Sequence, residues 1–474
     1  MTSKFSYRIE EDSLGKVKIP SDAYFGSTTA RAKQNFQISV LKSPQIFRYS
    51  LGIVKLACAK ANIELGLIEK KYAQSLTQAC LEFANGKIEE FSLGIFQAGA
   101  GTSYNMNANE VIANRANELL KSPKGKYLHV HPNNTVNMAQ STNDVIPTAV
   151  RIASILSVKK LTEEITELEK KLKLKIKKFG KIVKVGRTHL KDAVPITLGQ
   201  EFDSYREAIS KSKKFILEQT KNLRILGIGG TAVGTGINTD PNYRKLTIKH
   251  LSQILKIKFI PAKNMTEIAN NMNAFLNLSS SLRSLAINLM NFMGDLKMMS
   301  MGPKAGINEI NLPEIQPGSS IMPGKVNPSA PECLEMICFQ VLGNDHAVEL
   351  ATQKSQFELN VMLPVIMHNL LQSLAILTNG IKMFREICLK GLTANKKIIE
   401  DLFEKSLCTG TALSPYLGYV KTAKLIKSAL KNNRSIKEQA IKEKLFTKKE
   451  LDEILSIKNL TQPSKINTKL IKKY

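Results

Sequence analysis

Four polar segments carry the residue types best suited to chemistry. They are Gly99–Asn109 (GAGTSYNMNAN), Gln140–Asp144 (QSTND), Gly186–His189 (GRTH) and Gly318–Asn327 (GSSIMPGKVN). Each segment is rich in hydroxyl groups, amides or exposed backbone donors. A helical protein has no folding reason to carry four such segments, because a helix end needs only a few polar partners. We therefore expect them to contribute to a binding or catalytic site.

Few residues within these segments are charged. Arg187, His189 and Lys325 can carry positive charge, and Asp144 is the only carboxylate. Hydroxyls, amides and a few cations suit the binding of an anionic carboxylate and the stabilisation of extra negative charge on it. They do not suit hydrolysis by a metal or by a pair of carboxylates. We therefore expect a small carboxylate substrate, no metal and no cofactor.

Three short motifs look like known sites but lack the required context. The glycine-rich stretch 227–232 matches a relaxed dinucleotide pattern, yet a predicted helix precedes it and the chain lacks alternating strands and helices. Gly318–Lys325 has five residues between its glycines and valine after its lysine, which excludes a Walker loop. His129 and His131 form an isolated pair followed by proline, which favours a structural turn over a metal site.

Hydrophobic spacing divides the chain into three predicted domains. Residues 1–142 form a mixed, mostly helical N-terminal domain, and residues 143–390 form a central domain of long helices. Residues 391–474 form a small, lysine-rich helical domain. Within it, Thr447 and Glu450 have the spacing of a capping box at a helix start.

The central domain is predicted to contain three very long helical stretches, over residues 158–179, 266–296 and 332–384. The last of these contains Pro364, which should kink it by removing one backbone donor. Such lengths imply a mainly α fold built on an elongated bundle. Its apolar faces exceed what one chain can cover, so we expect an oligomer.

The composition restricts the classes of partner. Lys and Arg number 68 against 40 Asp and Glu, a net charge of +28, but only 12 of the 68 are arginine and aromatic residues make up 6%. Nucleic-acid binders concentrate arginine and aromatic side chains on one face, so we expect no nucleic-acid partner. Six scattered cysteines and the lack of a long apolar run indicate no membrane partner and a cytoplasmic location.

The Gly318–Pro328 sequence, GSSIMPGKVNP, resembles the signature of the aspartase/fumarase superfamily. The other three polar segments are similar to the remaining active-site regions of that superfamily, in the same order. The resemblance runs from about Tyr7 to Leu455. It implies a central five-helix bundle with smaller N- and C-terminal domains, assembled as a homotetramer whose active sites are shared between chains.

Within the superfamily, several stretches look more like aspartate ammonia-lyases than class II fumarases. They are GTSYNMNANE (101–110), QSTND (140–144), RTHLKDAVP (187–195) and NEINLPE (308–314). Class II fumarases typically show GTQ in the first stretch and QSSND in the second. Both groups usually carry HPND, whereas this chain reads HPNNT from His131, which decides nothing between them.

The resemblance also implies roles for single residues. Ser319 would act as the base, as an alkoxide, while Lys325 and Asn327 hold the doubly charged aci-carboxylate formed when the substrate loses a proton. The positions matching substrate-binding residues are Thr102, Ser141, Thr142, Asn143, Thr188, His189, Ser320, Lys325 and Asn327. From residue chemistry alone, His189 is the natural base, because its reference pKa lies near neutrality. The resemblance instead makes His189 a catalytic-site ligand of the substrate carboxylate.

Three alternatives stay open at this point. The first is a class II fumarate hydratase, which would act on L-malate in place of L-aspartate. The second is a non-catalytic binding or structural protein with the same fold, against which the intact Ser319, Lys325, Asn327 and His189 argue. The third is a polyanion-binding protein, a reading that rests on net charge alone.

Overall fold

The computed structural model describes residues 6–472, which form a mainly helical protein. In chain order the helices are α1 (Ser27–Asn35), α2 (Gln45–Glu64), α3 (Lys70–Ala84), α4 (Thr102–Leu119), α5 (Thr142–Phe179), α6 (Leu198–Thr220), α7 (Tyr243–Leu255), α8 (Met265–Asn270), α9 (Asn273–Met299), α10 (Ser329–Thr352), α11 (Leu363–Met383), α12 (Lys396–Lys405), α13 (Ser414–Leu417), α14 (Tyr419–Lys431), α15 (Ile436–Lys442), α16 (Lys448–Ile454) and α17 (Ile457–Thr461). Short 3₁₀ and π turns extend or join several of them.

The strands are short and pair two by two. They are β1 (Tyr7–Asp12), β2 (Gly15–Pro20), β3 (Val183–Thr188), β4 (Lys191–Thr197), β5 (Ile225–Leu226), β6 (Ile260–Pro261), β7 (Ile310–Asn311), β8 (Ser355–Gln356), β9 (Leu359–Asn360) and β10 (Thr393–Ala394). Antiparallel pairs join β1 to β2, β3 to β4, β8 to β9 and β7 to β10, while β5 and β6 are parallel.

The chain folds into two compact units, each assembled from separate stretches of sequence. The first unit contains residues 6–163, Ser212–Ala286 and Ile337–Asn379. The second contains Glu164–Lys211, Ile287–Met336 and residues 380–472. The three-domain division at residues 142 and 390 follows chain order, and it stays a prediction.

Aromatic side chains join the elements within each unit. In the first, Tyr104 of α4 lies 5.3 Å from Phe47 of α2, measured between ring centroids. In the second, the Phe202 ring of α6 lies 5.2 Å from Phe179 of α5 and 6.0 Å from Phe292 of α9. All five rings are fully buried, so they fix how the helices that carry the polar segments pack within each unit.

The predicted helix over 158–179 is part of α5, which starts earlier, at Thr142. Its apolar stripe, Leu161, Ile165, Leu168 and Leu172, is fully buried, as the spacing of three and four residues requires. Because α5 begins within the QSTND segment, the helix directly positions the backbone of that segment.

The long helix predicted over 266–296 is interrupted, so that prediction is wrong in its first turns. Helix α8 ends at Asn270 and α9 starts at Asn273. Between them Asn271 has an extended backbone, and its side-chain oxygen accepts the N–H of Asn273 at 2.8 Å. An asparagine that caps the next helix competes with helix continuation, which explains the break.

The prediction of a single kinked helix over 332–384 is also wrong. The hairpin of β8 and β9 separates α10 from α11, and Pro364 is the second residue of α11. At that position proline loses no helical hydrogen bond and favours a helix start, so it begins a helix where a kink was expected.

The C-terminal segment has its own small core. Leu413, Leu425, Phe446 and Leu451 are buried against one another with neighbouring apolar residues. The predicted capping box is confirmed, because Thr447 and Glu450 each accept the other's backbone N–H. A helix start read from the sequence is therefore correct here, because capping depends on residues three positions apart.

Candidate active site

The segment that carries Ser319 and Lys325 lies between β7 and α10 and folds back on itself. The N–H of Gly318 donates to the carbonyl oxygen of Lys325 at 2.8 Å. The Asn327 amide donates to the carbonyl oxygen of Gly318 at 2.7 Å. A Cβ atom on Gly318 would lie 2.5 Å from the Lys325 carbonyl oxygen, so only glycine allows this closure.

The hydroxyl oxygen of Ser319 accepts two backbone hydrogen bonds. Its donors are the N–H groups of Met322 at 2.9 Å and Ile321 at 3.2 Å. Two donors aimed at one oxygen favour the form of that oxygen that carries negative charge. The neighbouring Ser320 is exposed.

Lys325 projects from the same segment and is exposed. Within residues 6–472 no carboxylate lies within ion-pairing distance of it. The Asn327 amide uses one N–H on Gly318, which leaves its second N–H for a ligand. The segment therefore carries an ammonium, an amide donor and the Ser319 hydroxyl within nine residues of sequence.

His189 lies at the tip of the hairpin formed by β3 and β4. The turn consists of His189 and Leu190, whose φ angles are 55° and 57°. Two-residue turns of this kind usually contain glycine or asparagine, because other side chains are strained at positive φ. The strained turn leaves His189 and the preceding Thr188 exposed.

A buried charge cluster holds this hairpin in the second unit. Glu309, which is fully buried, accepts Arg187 at 2.9 Å and Lys184 at 3.0 Å. Lys184 also lies 2.8 Å from the Glu201 carboxylate. Arg187 therefore serves the hairpin as an ion-pair partner. The cluster ties the His189 hairpin to the chain that leads into the Ser319 segment.

Thr102 is the first residue of α4 in the first unit. Its hydroxyl donates to the carbonyl oxygen of Gly99 at 3.2 Å, and the residue is exposed. The turn before it uses positive φ at Ala100 and Gly101, 59° and 84°. This tight turn places Thr102 at the end of the helix where backbone N–H groups are free.

Ser141, Thr142 and Asn143 form the start of α5. The Ser141 hydroxyl accepts the N–H of Asn143 at 3.2 Å, and Thr142 accepts the Asn105 amide of α4 at 3.2 Å. The Asn143 amide donates to the carbonyl oxygen of Ala232 at 2.8 Å. Asn105 thus joins the helix of Thr102 to this segment.

Asp144 is fixed by three backbone N–H groups and is almost fully buried. One carboxylate oxygen accepts a hydrogen bond from the backbone N–H of Ser141 at 3.0 Å. The other accepts hydrogen bonds from the backbone N–H groups of Gly229 and Thr231, both at 3.0 Å. Burial raises the pKa of Asp144 to about 6, against the lowering effect of these N–H groups. The glycine-rich stretch is therefore a partner of Asp144.

Lys55 of α2 is a charged residue that the sequence analysis missed. It is fully buried, and its ammonium donates to Asn137 Oδ1 at 3.0 Å and to Gln140 Oε1 at 2.9 Å. Burial lowers its pKa to about 8. A signal was present in the sequence, because Lys55 is the only charged residue between Arg48 and Lys60.

His131 confirms the expected structural turn. Its Nδ1 atom accepts the N–H groups of Asn133 at 3.2 Å and Asn134 at 3.3 Å, which caps the π turn Pro132–Val136. In the part of the chain that the structure describes, no three His, Cys, Asp or Glu side chains are grouped as metal ligands.

The candidate residues fall into two groups, one in each unit. The first unit holds Thr102, Ser141, Thr142 and Asn143, and the second holds Thr188, His189, Ser319, Ser320, Lys325 and Asn327. Hydrogen bonds through Asn105 join the first group, and the Glu309 cluster joins the two segments of the second.

Comparison with known proteins gives the family of the chain. The profile of the family described as "Lyase" matches residues 15–343. The chain belongs to the lyase family. A second profile, "Fumarase C C-terminus", matches residues 411–462 of this lyase. The predicted superfamily is confirmed, and the chain is an enzyme of the lyase class.

Similar proteins with different names match the lyase over nearly its whole length. The aspartate ammonia-lyase of Bacillus subtilis is 42% identical and covers 98% of both chains. A class II fumarate hydratase of Bradyrhizobium diazoefficiens is 41% identical, again with 98% of both chains covered. These two identities are too close to distinguish the substrates.

A solved structure confirms the fold. The class II fumarase of Schistosoma mansoni superimposes with a TM-score of 0.92 and 36% identity, over 95% of this lyase and 98% of that chain. The prediction of a mainly helical, aspartase/fumarase-like fold is therefore correct. No helix within residues 6–472 is long and apolar enough to span a lipid bilayer.

Proposed function

We propose that this lyase is an aspartate ammonia-lyase, which reversibly eliminates ammonia from L-aspartate to give fumarate. The observation that carries the proposal is the Ser319 hydroxyl, which accepts two backbone N–H groups close in sequence to the unpaired Lys325. That arrangement suits a serine that must lose its proton. The threonine in QSTND and the GTSYN stretch favour L-aspartate over L-malate as the substrate.

Elimination begins with the proton next to the β-carboxylate of the substrate. Ser319, as an alkoxide, takes this proton, and the electron pair moves into the carboxylate to form the aci-carboxylate. Lys325, the free N–H of Asn327 and nearby backbone donors stabilise its two negative charges. Removing one donor of this kind commonly costs about 3 kcal/mol of transition-state stabilisation. The C–N bond then breaks, the double bond forms and ammonia leaves.

The remaining residues orient the substrate. His189 and Thr188 bind one substrate carboxylate, and a second set of hydroxyl and amide side chains binds the other carboxylate and the amine. This second set contains Thr102, Ser141, Thr142 and Asn143, together with Ser320, which directly follows Ser319. Holding the proton and the amine antiperiplanar supplies much of the rate enhancement, because it removes orientational freedom before the reaction.

A side-by-side assay tests which substrate the enzyme prefers. Purified protein is given L-aspartate or L-malate at equal concentration, and fumarate formation is followed, with Ser319→Ala as the inactive reference. We expect fumarate from L-aspartate at a much higher rate. A comparable or higher rate with L-malate would instead establish the class II fumarate hydratase, which the 41% identical relative supports.

We also propose that the protein is a homotetramer in which different chains contribute to each site. Mixing His189→Ala with Ser319→Ala and refolding them together tests this. Some sites of a hybrid tetramer would then collect both intact residues from different parents, so activity should return. Hybrid tetramers as inactive as their parents would exclude sites that take His189 and Ser319 from different chains, and would leave the substrate assignment standing.

A further inference from the structure

Two buried charged side chains flank the Ser141–Asn143 segment without a role in the proposed chemistry. Lys55 binds the amide of Gln140, just before the segment, and Asp144 binds the backbone N–H of Ser141. Both side chains are fully or almost fully buried. Both side chains are closed off from solvent, so neither contacts a substrate directly. Any effect on the reaction must therefore pass through the residues that they bind.

Asp144 has enough partners to explain its burial. Its two oxygens accept three backbone N–H groups, from Ser141, Gly229 and Thr231. A carboxylate in this position completes the cap of α5 and fixes the glycine-rich loop. Its structure is that of a local cap, which needs no further explanation.

Lys55 is held differently, by a chain of neutral amides that ends at a candidate substrate-binding residue. Asn137 Oδ1 accepts both the Lys55 ammonium, at 3.0 Å, and the Asn105 amide, at 3.2 Å. Asn105 also donates to the Thr142 hydroxyl at 3.2 Å. The second lysine bond, to Gln140, holds the residue that directly precedes Ser141.

The groups around the ammonium do not supply a paired negative charge. Cys58 from α2 and Cys80 from α3 face it, and burial raises the pKa of both thiols to about 12, so they stay neutral. Asp144 from α5 acts on Lys55 only through space, and its oxygens bind backbone N–H groups. Tyr243 of α7 lies beyond, against Cys58.

Burying an ammonium that has only amide oxygens as partners lowers the free energy of unfolding. Removing such a charge from water is unfavourable, and hydrogen bonds to amide oxygens offset less of this desolvation free energy than an ion pair with a carboxylate does. An apolar side chain of similar volume would pack at this position in α2 without that cost. The position of Lys55 is therefore better explained by what its hydrogen bonds organise.

We propose that Lys55 is a positioning residue of the active site, which fixes Ser141 and Thr142 for substrate binding through Gln140, Asn137 and Asn105. The proposal rests on the proposed function only in assigning these two hydroxyl groups to the substrate. In this role Lys55 tightens substrate binding while reducing the stability of the chain.

The test replaces Lys55 by methionine, which keeps the length of the stem and removes the charge and its donors. Lys60→Met is the matched control, because Lys60 lies on the same helix and is exposed. We expect Lys55→Met to raise KM and lower kcat/KM about tenfold or more, the size expected from losing about one charged hydrogen bond. Its melting temperature should equal or exceed that of Lys60→Met.

The pH dependence supplies a readout that a structural role would not change. The advantage of wild type over Lys55→Met in kcat/KM should shrink as pH rises from 7 to 9, because Lys55 loses its proton near pH 8. Titration of the substrate amine affects both proteins equally and cancels in this ratio. An advantage that does not change with pH would contradict the role of the charge.

Two further measurements keep the test decisive. Asn105→Ala removes the hydrogen bond to Thr142 without changing any charge, and this variant should also raise KM. It replaces Lys55→Met in the test if Lys55→Met folds poorly. The dissociation constant of fumarate, the product of either candidate reaction, is measured for each variant. Fumarate binding by Lys55→Met within twofold of Lys60→Met would overturn the proposal, whichever substrate the enzyme uses. A preference for L-malate would overturn only the proposed function.

Discussion

Two buried lysines lie beneath candidate active-site segments, and their partners are of opposite kinds. Lys184, in the second unit, lies 2.8 Å from Glu201 and 3.0 Å from Glu309. Lys55, in the first unit, binds the neutral amide oxygens of Asn137 and Gln140. Both lysine side chains are almost completely withdrawn from solvent.

The two sets of partners predict opposite effects on the stability of the fold. Two carboxylates balance the charge of Lys184, and the same cluster binds Arg187 of the His189 hairpin. Burial raises the pKa of Glu201, and Lys184 opposes that rise. Lys55 has no such balance, and burial lowers its pKa to about 8. We expect the first lysine to stabilise the fold and the second to cost stability.

The largest expected effect comes from Lys184→Met. The substitution leaves the Glu201 and Glu309 carboxylates without their shared cation, in a site that is largely closed to water. Removing one partner of a buried ion pair costs about 3–5 kcal/mol of unfolding free energy. Urea unfolding at equal protein concentration measures this loss, with Lys55→Met as the comparison. Equal losses in the two variants would refute the distinction between the lysines.

The next effect is the pH dependence of stability that Lys55 produces. Its folded-state pKa, about 8, lies below the ordinary value of 10.5, so the unfolded chain binds the proton more tightly. Between these values wild type should gain stability as pH rises, relative to Lys55→Met. The full gain should approach about 3 kcal/mol, at about 1.4 kcal/mol for each pH unit between the two pKa values. Unfolding of both proteins from pH 7 to 10 measures it, and parallel curves would contradict it.

The smallest effect is expected from Glu309→Gln, which keeps the shape of the side chain. Glutamine can still accept a hydrogen bond, and Lys184 keeps its bond to Glu201. Losing the charge of a hydrogen-bonded partner typically costs about 1.5–3 kcal/mol. Because Arg187 holds the hairpin through Glu309, KM should also rise for the substrate that His189 binds. A loss of stability with unchanged KM would show that the Glu309 cluster contributes to folding and not to substrate binding.

Local patterns in the sequence predicted the features that depend on nearby residues. The buried stripe of α5 follows from the spacing of Leu161, Ile165 and Leu168, and the capping box follows from Thr447 and Glu450. The signature around Gly318 was recognisable because chemistry restricts its residue types. The closure of that segment on Lys325 further requires glycine at its start.

Hydrophobic spacing failed as a predictor where another local signal competes with it. The apolar spacing across Asn271 continues that of a helix, yet its side chain caps a new helix start. Pro364 was expected within a helix, but the hairpin of β8 and β9 makes it part of a helix start. In both places a residue that favours a helix start interrupts the apolar spacing, and that spacing alone does not reveal the interruption.

The sequence by itself determined the helical class, the superfamily and the identity of the candidate catalytic groups. Only the tertiary structure decided that Lys55 is buried among amides. The physical reason is the range of the interactions. Helix periodicity and capping act over three or four residues, whereas the solvation of Lys55 depends on Asn137 and Gln140, more than eighty residues away in the chain.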